Sequence, residues 1–143
     1  MKAVRKAAPS EAEAIHRMLA DIDWISNSVK TDDGLQKIRT FCNKGEVWVV
    51  ALDREVVAMM FLRLDLVSHS LSIPILTTAW RHRRNGYARL LIRQAKTEAV
   101  KIGCTVEGYP KNHQSINLLE TEHFKLIQDH VDKNGNDLFR WSP

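Results

Sequence analysis

Apolar and polar positions follow two rhythms along this chain, and the switches between them outline its elements. Ala12, Ile15, Met18, Leu19 and Ile22 recur at helical spacing, as do Leu35, Ile38, Phe41 and Cys42. Pro9-Ser10 opens the first of these helices, with Ser10 predicted as N-cap and Glu13 as its capping-box partner. Thr31 is predicted to cap the second, with Asp32 and Asp33 near its positive end, and Gly45 closes that unit. The longest periodic stretch runs from Gly86 to Gly103. There Ala88, Leu91, Ile92, Ala95, Ala99 and Ile102 share a face that Arg89, Arg93, Lys96 and Lys101 avoid. A further helix is predicted from Asn112 to His123.

Short β-rich runs fill the remaining chain: Lys2 to Lys6, Val47 to Leu52, Val56 to Leu64, Leu71 to Thr78, Thr105 to Glu107, Leu126 to Val131 and Leu138 to Trp141. Asp53-Arg54 and Asn134-Gly135 supply turns. Pro74 lacks a ladder donor, so it is expected at the start of its strand or at an irregularity. The order is strand, two helices, three strands, helix, strand, helix, two strands, which is a mixed α+β fold. At 143 residues and 44% hydrophobic content, the chain is long enough for one core and too short for two, so residues 1–143 are expected to form a single domain.

Charge changes the picture more than composition does. The formal net charge is only +4, but it is unevenly placed. Pro9 to Asp33 carries Glu11, Glu13, Asp21, Asp23, Asp32 and Asp33 against Arg17 and Lys30, whereas Arg81 to Lys101 carries seven basic residues against Glu98 alone. The second field attracts an anion, either a phosphorylated cofactor or a nucleic acid. No run approaches the roughly 20 apolar residues that span a bilayer, and the first segment lacks a signal-like apolar stretch, so a cytoplasmic location with no membrane partner is expected. Cys42 and Cys104 have neither CxxC spacing nor a histidine pair, which predicts free thiols and no metal site.

The chemistry concentrates at Arg83-Arg84-Asn85-Gly86-Tyr87-Ala88, where a strand ends and the longest helix begins. Unpaired amides in a helix's first turn, aided by the dipole, accept a phosphate oxyanion. Gly86 allows close backbone approach, Ala88 keeps the turn narrow, and the two arginines add charge suited to a pyrophosphate.

This segment resembles the pyrophosphate-binding motif of the GNAT superfamily of N-acetyltransferases, Gln/Arg-x-x-Gly-x-Gly/Ala, matched by Arg83, Gly86 and Ala88. Downstream, Asn112-x-x-Ser115-x-x-Leu118-Leu119-Glu120-x-x-His123-Phe124 is similar to the family's Asn-x-x-Ala-x-x-Leu-Tyr-Glu-x-x-Gly-Phe. The resemblance covers nearly the whole chain and rests on Leu76 to Phe124. It implies a GNAT-like, mostly antiparallel sheet splayed between its fourth and fifth strands. It implies acetyl-CoA as cosubstrate, held by Leu76, Thr77 and Thr78 along the pantetheine arm and by Arg83, Arg84, Asn85, Gly86, Tyr87 and Ala88 at the diphosphate. Asn112 would hydrogen-bond the same molecule, or satisfy its own helix terminus as an N-cap.

The implied reaction is direct acetyl transfer to a primary amine of a small molecule or protein. A base must take the amine's proton. Glu107 is the first candidate, because a glutamate matching it serves as base in the ribosomal-protein alanine acetyltransferase branch; Asp65 and His69 are alternatives. The family's thiolate-protonating tyrosine is replaced by Leu119, leaving Tyr109 or Tyr87 as substitutes. His123 and Trp80 also depart from the family pattern, and Trp80 is placed to pack beside the cofactor. The loss of the tyrosine motivates a second reading, a non-catalytic acetyl-CoA-binding regulatory protein. Asp21, Asp23, Asp32 and Asp33 beside Trp24 suit a cationic acceptor, or are ordinary loop and helix-start acids. A nucleic-acid partner is disfavoured, because no aromatic stacking platform accompanies the arginines. Many relatives pair, which makes a homodimer an open expectation.

Overall fold

The computed structural model describes residues 1–22 and 27–143, so Asp23 and Trp24 of the expected acceptor-side group lie outside the described residues. The elements are β1 (Lys2–Lys6), α1 (Ala12–Ala20), α2 (Asp32–Asn43), β2 (Val47–Leu52), β3 (Glu55–Phe61), β4 (Arg63–Asp65), β5 (Ser70–Ser72), β6 (Leu76–Thr78), α3 (Tyr87–Ile102), β7 (Thr105–Gly108), α4 (His113–Thr121), β8 (Lys125–Val131) and β9 (Asp137–Trp141). The α+β class is as expected. Two of the expected strands, however, are each broken into two. The run from Val56 to Leu64 breaks at Leu62, whose amide donates to the Glu46 carbonyl at 2.8 Å. The run from Leu71 to Thr78 breaks around Pro74.

The break at Pro74 shapes the molecule. The Ile73 amide donates to the Glu107 carbonyl at 2.9 Å, while the Ile75 carbonyl accepts from the Phe61 amide at 2.9 Å. Residues on either side of the proline thus pair with different strands. Pro74 has no N–H, so the chain changes partners there without stranding a backbone donor. One sheet, β1-β2-β3-β6, is antiparallel throughout. The other, β4-β5-β7-β9-β8, contains the parallel pair β5/β7, with Ser72 beside Glu107. Since β5 stays with β7 and β6 leaves to join β3, the sheet parts between β6 and β7. This is the expected splay.

Neighbouring strand residues face opposite ways, and the helices sort accordingly. Val50 and Met60 are buried with Leu91, Ile92, Ala95 and Ala99 of α3, whereas Val49 and Met59 are buried with Ile15, Leu19 and Ile38 of α1 and α2. So α3 covers one face, and α1 with α2 the other. Ile102, expected on the buried stripe, is 56% exposed, because the stripe runs past the sheet in the last turn before Gly103. No helix among the described residues is long and apolar enough to cross a membrane.

Helix starts divide into one success and one correction. The Thr31 hydroxyl accepts from the Gly34 amide at 3.2 Å, capping α2 as expected. The Ser10–Glu13 box does not form. Residues 9–11 make a 3-10 turn, and Glu11, two residues earlier than expected, accepts the Ala8 amide at 2.8 Å. Arg5 on β1 explains the choice, since its guanidinium grips both Glu11 carboxylate oxygens at 2.7 and 2.8 Å.

Candidate active site

The N-terminus of α3 has the features of an anion site. Gly86 precedes it at φ 77°, a left-handed conformation natural to glycine, and no side chain caps the helix. A helix's first amides have no acceptor within the helix. Those of Tyr87, Ala88 and Arg89 therefore open onto the cleft that these residues line. A Cβ built on Gly86 meets nothing within 4 Å, so the backbone here faces open space. The Arg83 guanidinium lies 4.8 Å over the ring of the exposed Trp80, and its Nε donates to the Thr78 carbonyl at 3.5 Å.

The cleft, about 1170 Å³, passes through the parting in the sheet, with Leu76, Thr77 and Thr78 on one side and Gly108 and Tyr109 on the other. It brings together nearly all the sequence-derived binding residues: Leu76, Thr77, Thr78, Arg83, Arg84, Gly86, Tyr87, Ala88 and Asn112. Asn85 is not on its wall; its side-chain amide donates back to the His82 carbonyl at 3.1 Å. Asn112 caps α4, its Oδ1 accepting from the Ser115 amide at 2.8 Å, and it also lines the cleft. A diphosphate-bearing cosubstrate fits this set of donors, because an uncapped helix start, free space at Gly86 and flanking guanidinium groups are the requirements of such a group.

Glu107 sits differently from the other candidates. Val106 is buried against α3, so Glu107 faces the opposite side of the sheet. Its carboxylate accepts from Arg140 Nε at 2.7 Å, and its side chain is not on the cleft wall, although Gly108 and Tyr109 are. Asp65 and His69 do not line the cleft. Asp65 accepts from the Val67 amide at 2.9 Å in the β4–β5 turn, which His69 shares at φ 51°. Leu119 is 6% exposed, so hydrocarbon fills the position of the family's tyrosine. Both tyrosines of the chain, Tyr87 and Tyr109, line the cleft.

Of the acids expected on the acceptor side, Asp21 reaches the cleft wall with Ile22 at the end of α1, whereas Asp32 and Asp33 do not. Two features of the cleft were not anticipated. Lys111 also lines it, held by Asp132 at 3.1 Å; hydrogen bonds led by the Asn136 amide keep the Asp132 carboxyl well below the usual range. Beside the cleft, the buried Glu122 receives Arg89 at 2.6 Å, Lys96 at 3.1 Å and Arg93 at 3.4 Å. Burial pushes the Glu122 carboxyl up, but these three cations outweigh it and hold the pKa at about 2. The spacing of Arg89, Arg93 and Lys96 at i, i+4 and i+7 was the available signal for a shared anion.

The sequence model described as the acetyltransferase (GNAT) family matches residues 15–124. The chain belongs to that family. It is accordingly an acyltransferase, and the cleft above is this GNAT enzyme's candidate site. No curated protein matches the sequence. Solved structures with a similar fold include a mosquito arylalkylamine N-acetyltransferase-like protein, 14% identical, covering 99% of each chain at a TM-score of 0.76. A Drosophila melanogaster polyamine N-acetyltransferase is 11% identical over 100% of each chain, with a TM-score of 0.75. The PaiA N-acetyltransferase of Thermoplasma acidophilum, crystallised with coenzyme A, is 11% identical over 100% of this chain and 99% of its own, with a TM-score of 0.73.

Proposed function

We propose that residues 1–143 form one catalytic domain of a cytoplasmic N-acetyltransferase that moves the acetyl group of acetyl-CoA directly onto a primary amine. The uncapped start of α3, opening beside Arg83 and Arg84 onto a cleft through the parted sheet, carries this reading. In it, the amides of Tyr87, Ala88 and Arg89 hold the diphosphate, with the two guanidinium groups balancing its charge. Thr77 and Thr78 on β6 would line the pantetheine arm, since β6 has no strand partner on its β7 side.

In the transfer, the amine nitrogen forms a bond to the thioester carbonyl carbon and the C–S bond breaks. One proton must leave the nitrogen, and the departing thiolate takes one up. Glu107 is our assignment for the proton acceptor: it directly precedes the cleft-lining Gly108-Tyr109 segment, and with its carboxylate held by Arg140 it would receive the proton through water. Tyr109 and Tyr87 are the phenols available to the thiolate. A thiol of ordinary pKa, about 8.5, also leaves without strong acid assistance.

The test is thiol release from acetyl-CoA across a panel of primary amines, with the acetylated amine identified by mass. Amine-dependent release supports the reading. Tight coenzyme binding without release for any amine would instead mark a regulatory acetyl-CoA-binding protein.

A further inference from the structure

The cleft has charge of opposite sign at its two ends. Its α3 side carries Arg83 and Arg84, and its α1 side carries Asp21. Because α1 and α3 cover opposite faces of the sheet, a cavity touching both runs from one face to the other. Asp21 is the one carboxylate among the described residues lining it. Two of the basic side chains on the wall are already ion-paired, Arg89 with Glu122 and Lys111 with Asp132. Asp21 has no hydrogen-bond or ion-pair partner among the described residues for its carboxylate, and its side chain is exposed.

A coenzyme diphosphate would be drawn to the arginine end and repelled from the Asp21 end, which leaves the α1 mouth to the acceptor. An unpaired carboxylate at that mouth favours a cation there. The nitrogen that attacks a thioester must be uncharged, so it gains little from a nearby carboxylate. A second group on the acceptor that stays protonated gains fully. Tyr109, which also lines the cleft, offers an aromatic surface for such a group, and Ile22 an apolar one for the linker.

We propose that Asp21 is a specificity residue that binds a second cationic group of the acceptor, so that the preferred substrate is a diamine or an aminoalkylguanidine rather than a simple monoamine. This rests on the acetyl-transfer reading above. The experiment compares kcat/KM for 1,4-diaminobutane, corrected for its two equivalent nitrogens, with that for 4-amino-1-butanol and butylamine. A preference of about tenfold for the diamine is expected, weakening as ionic strength rises. Asp21→Asn should cut the ratio of diamine to amino alcohol by about fivefold or more, and Asp21→Glu should restore part of it. Equal use of all three amines by the native enzyme overturns the proposal while leaving acetyl transfer intact. So does an Asp21→Asn loss of the same size for all three, which would put Asp21 with the reacting nitrogen. If no amine is acetylated, the transferase reading fails, and the subsite with it.

Discussion

Replacing Glu122 by glutamine should destabilise this protein by about 3 kcal/mol at neutral pH, and the loss should shrink in acid. Glu122 follows α4 and is buried, with a side-chain exposure of 6%. It is the shared anion for Arg89, Arg93 and Lys96, and the Lys96 ammonium also donates to its backbone carbonyl at 2.6 Å. The carboxyl's pKa falls from 4.5 to about 2 on folding. At about 1.4 kcal/mol per pKa unit, that preference of the folded state for the charged form is worth about 3 kcal/mol. The sign follows from the depression: the contribution is complete well above 4.5 and fades as the pH falls toward 2. Between pH 7 and pH 3 it should drop by about 2 kcal/mol. Glutamine cannot ionise, so the stability gap between native protein and variant should narrow by that amount over the same range. Urea unfolding at both pH values measures the gap, and near-neutral thermal melts should place the variant about 10 °C lower. A gap below about 1 kcal/mol at pH 7, or one independent of pH, would refute the reasoning.

Glu107→Gln should slow acetylation by about 10²–10⁴-fold with coenzyme affinity nearly unchanged; an unaltered rate would remove Glu107 from the mechanism. Gly34→Ala should destabilise by about 2 kcal/mol or more in chemical unfolding, because a Cβ there overlaps the Val29 carbonyl, a backbone atom that cannot rotate away. The thiols of Cys42 and Cys104 are buried, 5% and 8% exposed, and burial raises the pKa of both. They should react with a disulfide reagent far more slowly in the folded protein than in urea, leaving released coenzyme thiol as the fast signal.

The hydrophobic rhythm of the chain was enough to locate its helices and most strands, since burial on one face leaves a periodic trace. What it could not show was partner exchange within a continuous apolar run. Val56 to Leu64 and Leu71 to Thr78 each read as one strand, because the breaks at Leu62 and Pro74 change hydrogen-bond partners, not polarity. Pro74 alone gave warning. Ser10 and Glu13 had the right spacing for a cap, but Arg5, on the preceding strand β1, drew Glu11 into that role. The anion site was legible because a glycine and two arginines at a strand-to-helix junction act locally. Asp21 was visible only as one of several acids; its place on the cleft wall depends on how α1 packs across the sheet. Glu107 sits on the strand where it was expected, but its engagement by Arg140 is a cross-strand pairing that single-strand patterns do not encode.

The proposed function depends on the amides opening α3, with Arg83 and Arg84, holding a diphosphate. Calorimetric titration of the folded protein with coenzyme A and, separately, with pantetheine, which lacks that group, tests it most directly. Coenzyme A should bind tighter by about 100-fold or more, with an advantage that falls as salt is added. Equal affinity for the two, or no coenzyme binding, would contradict it.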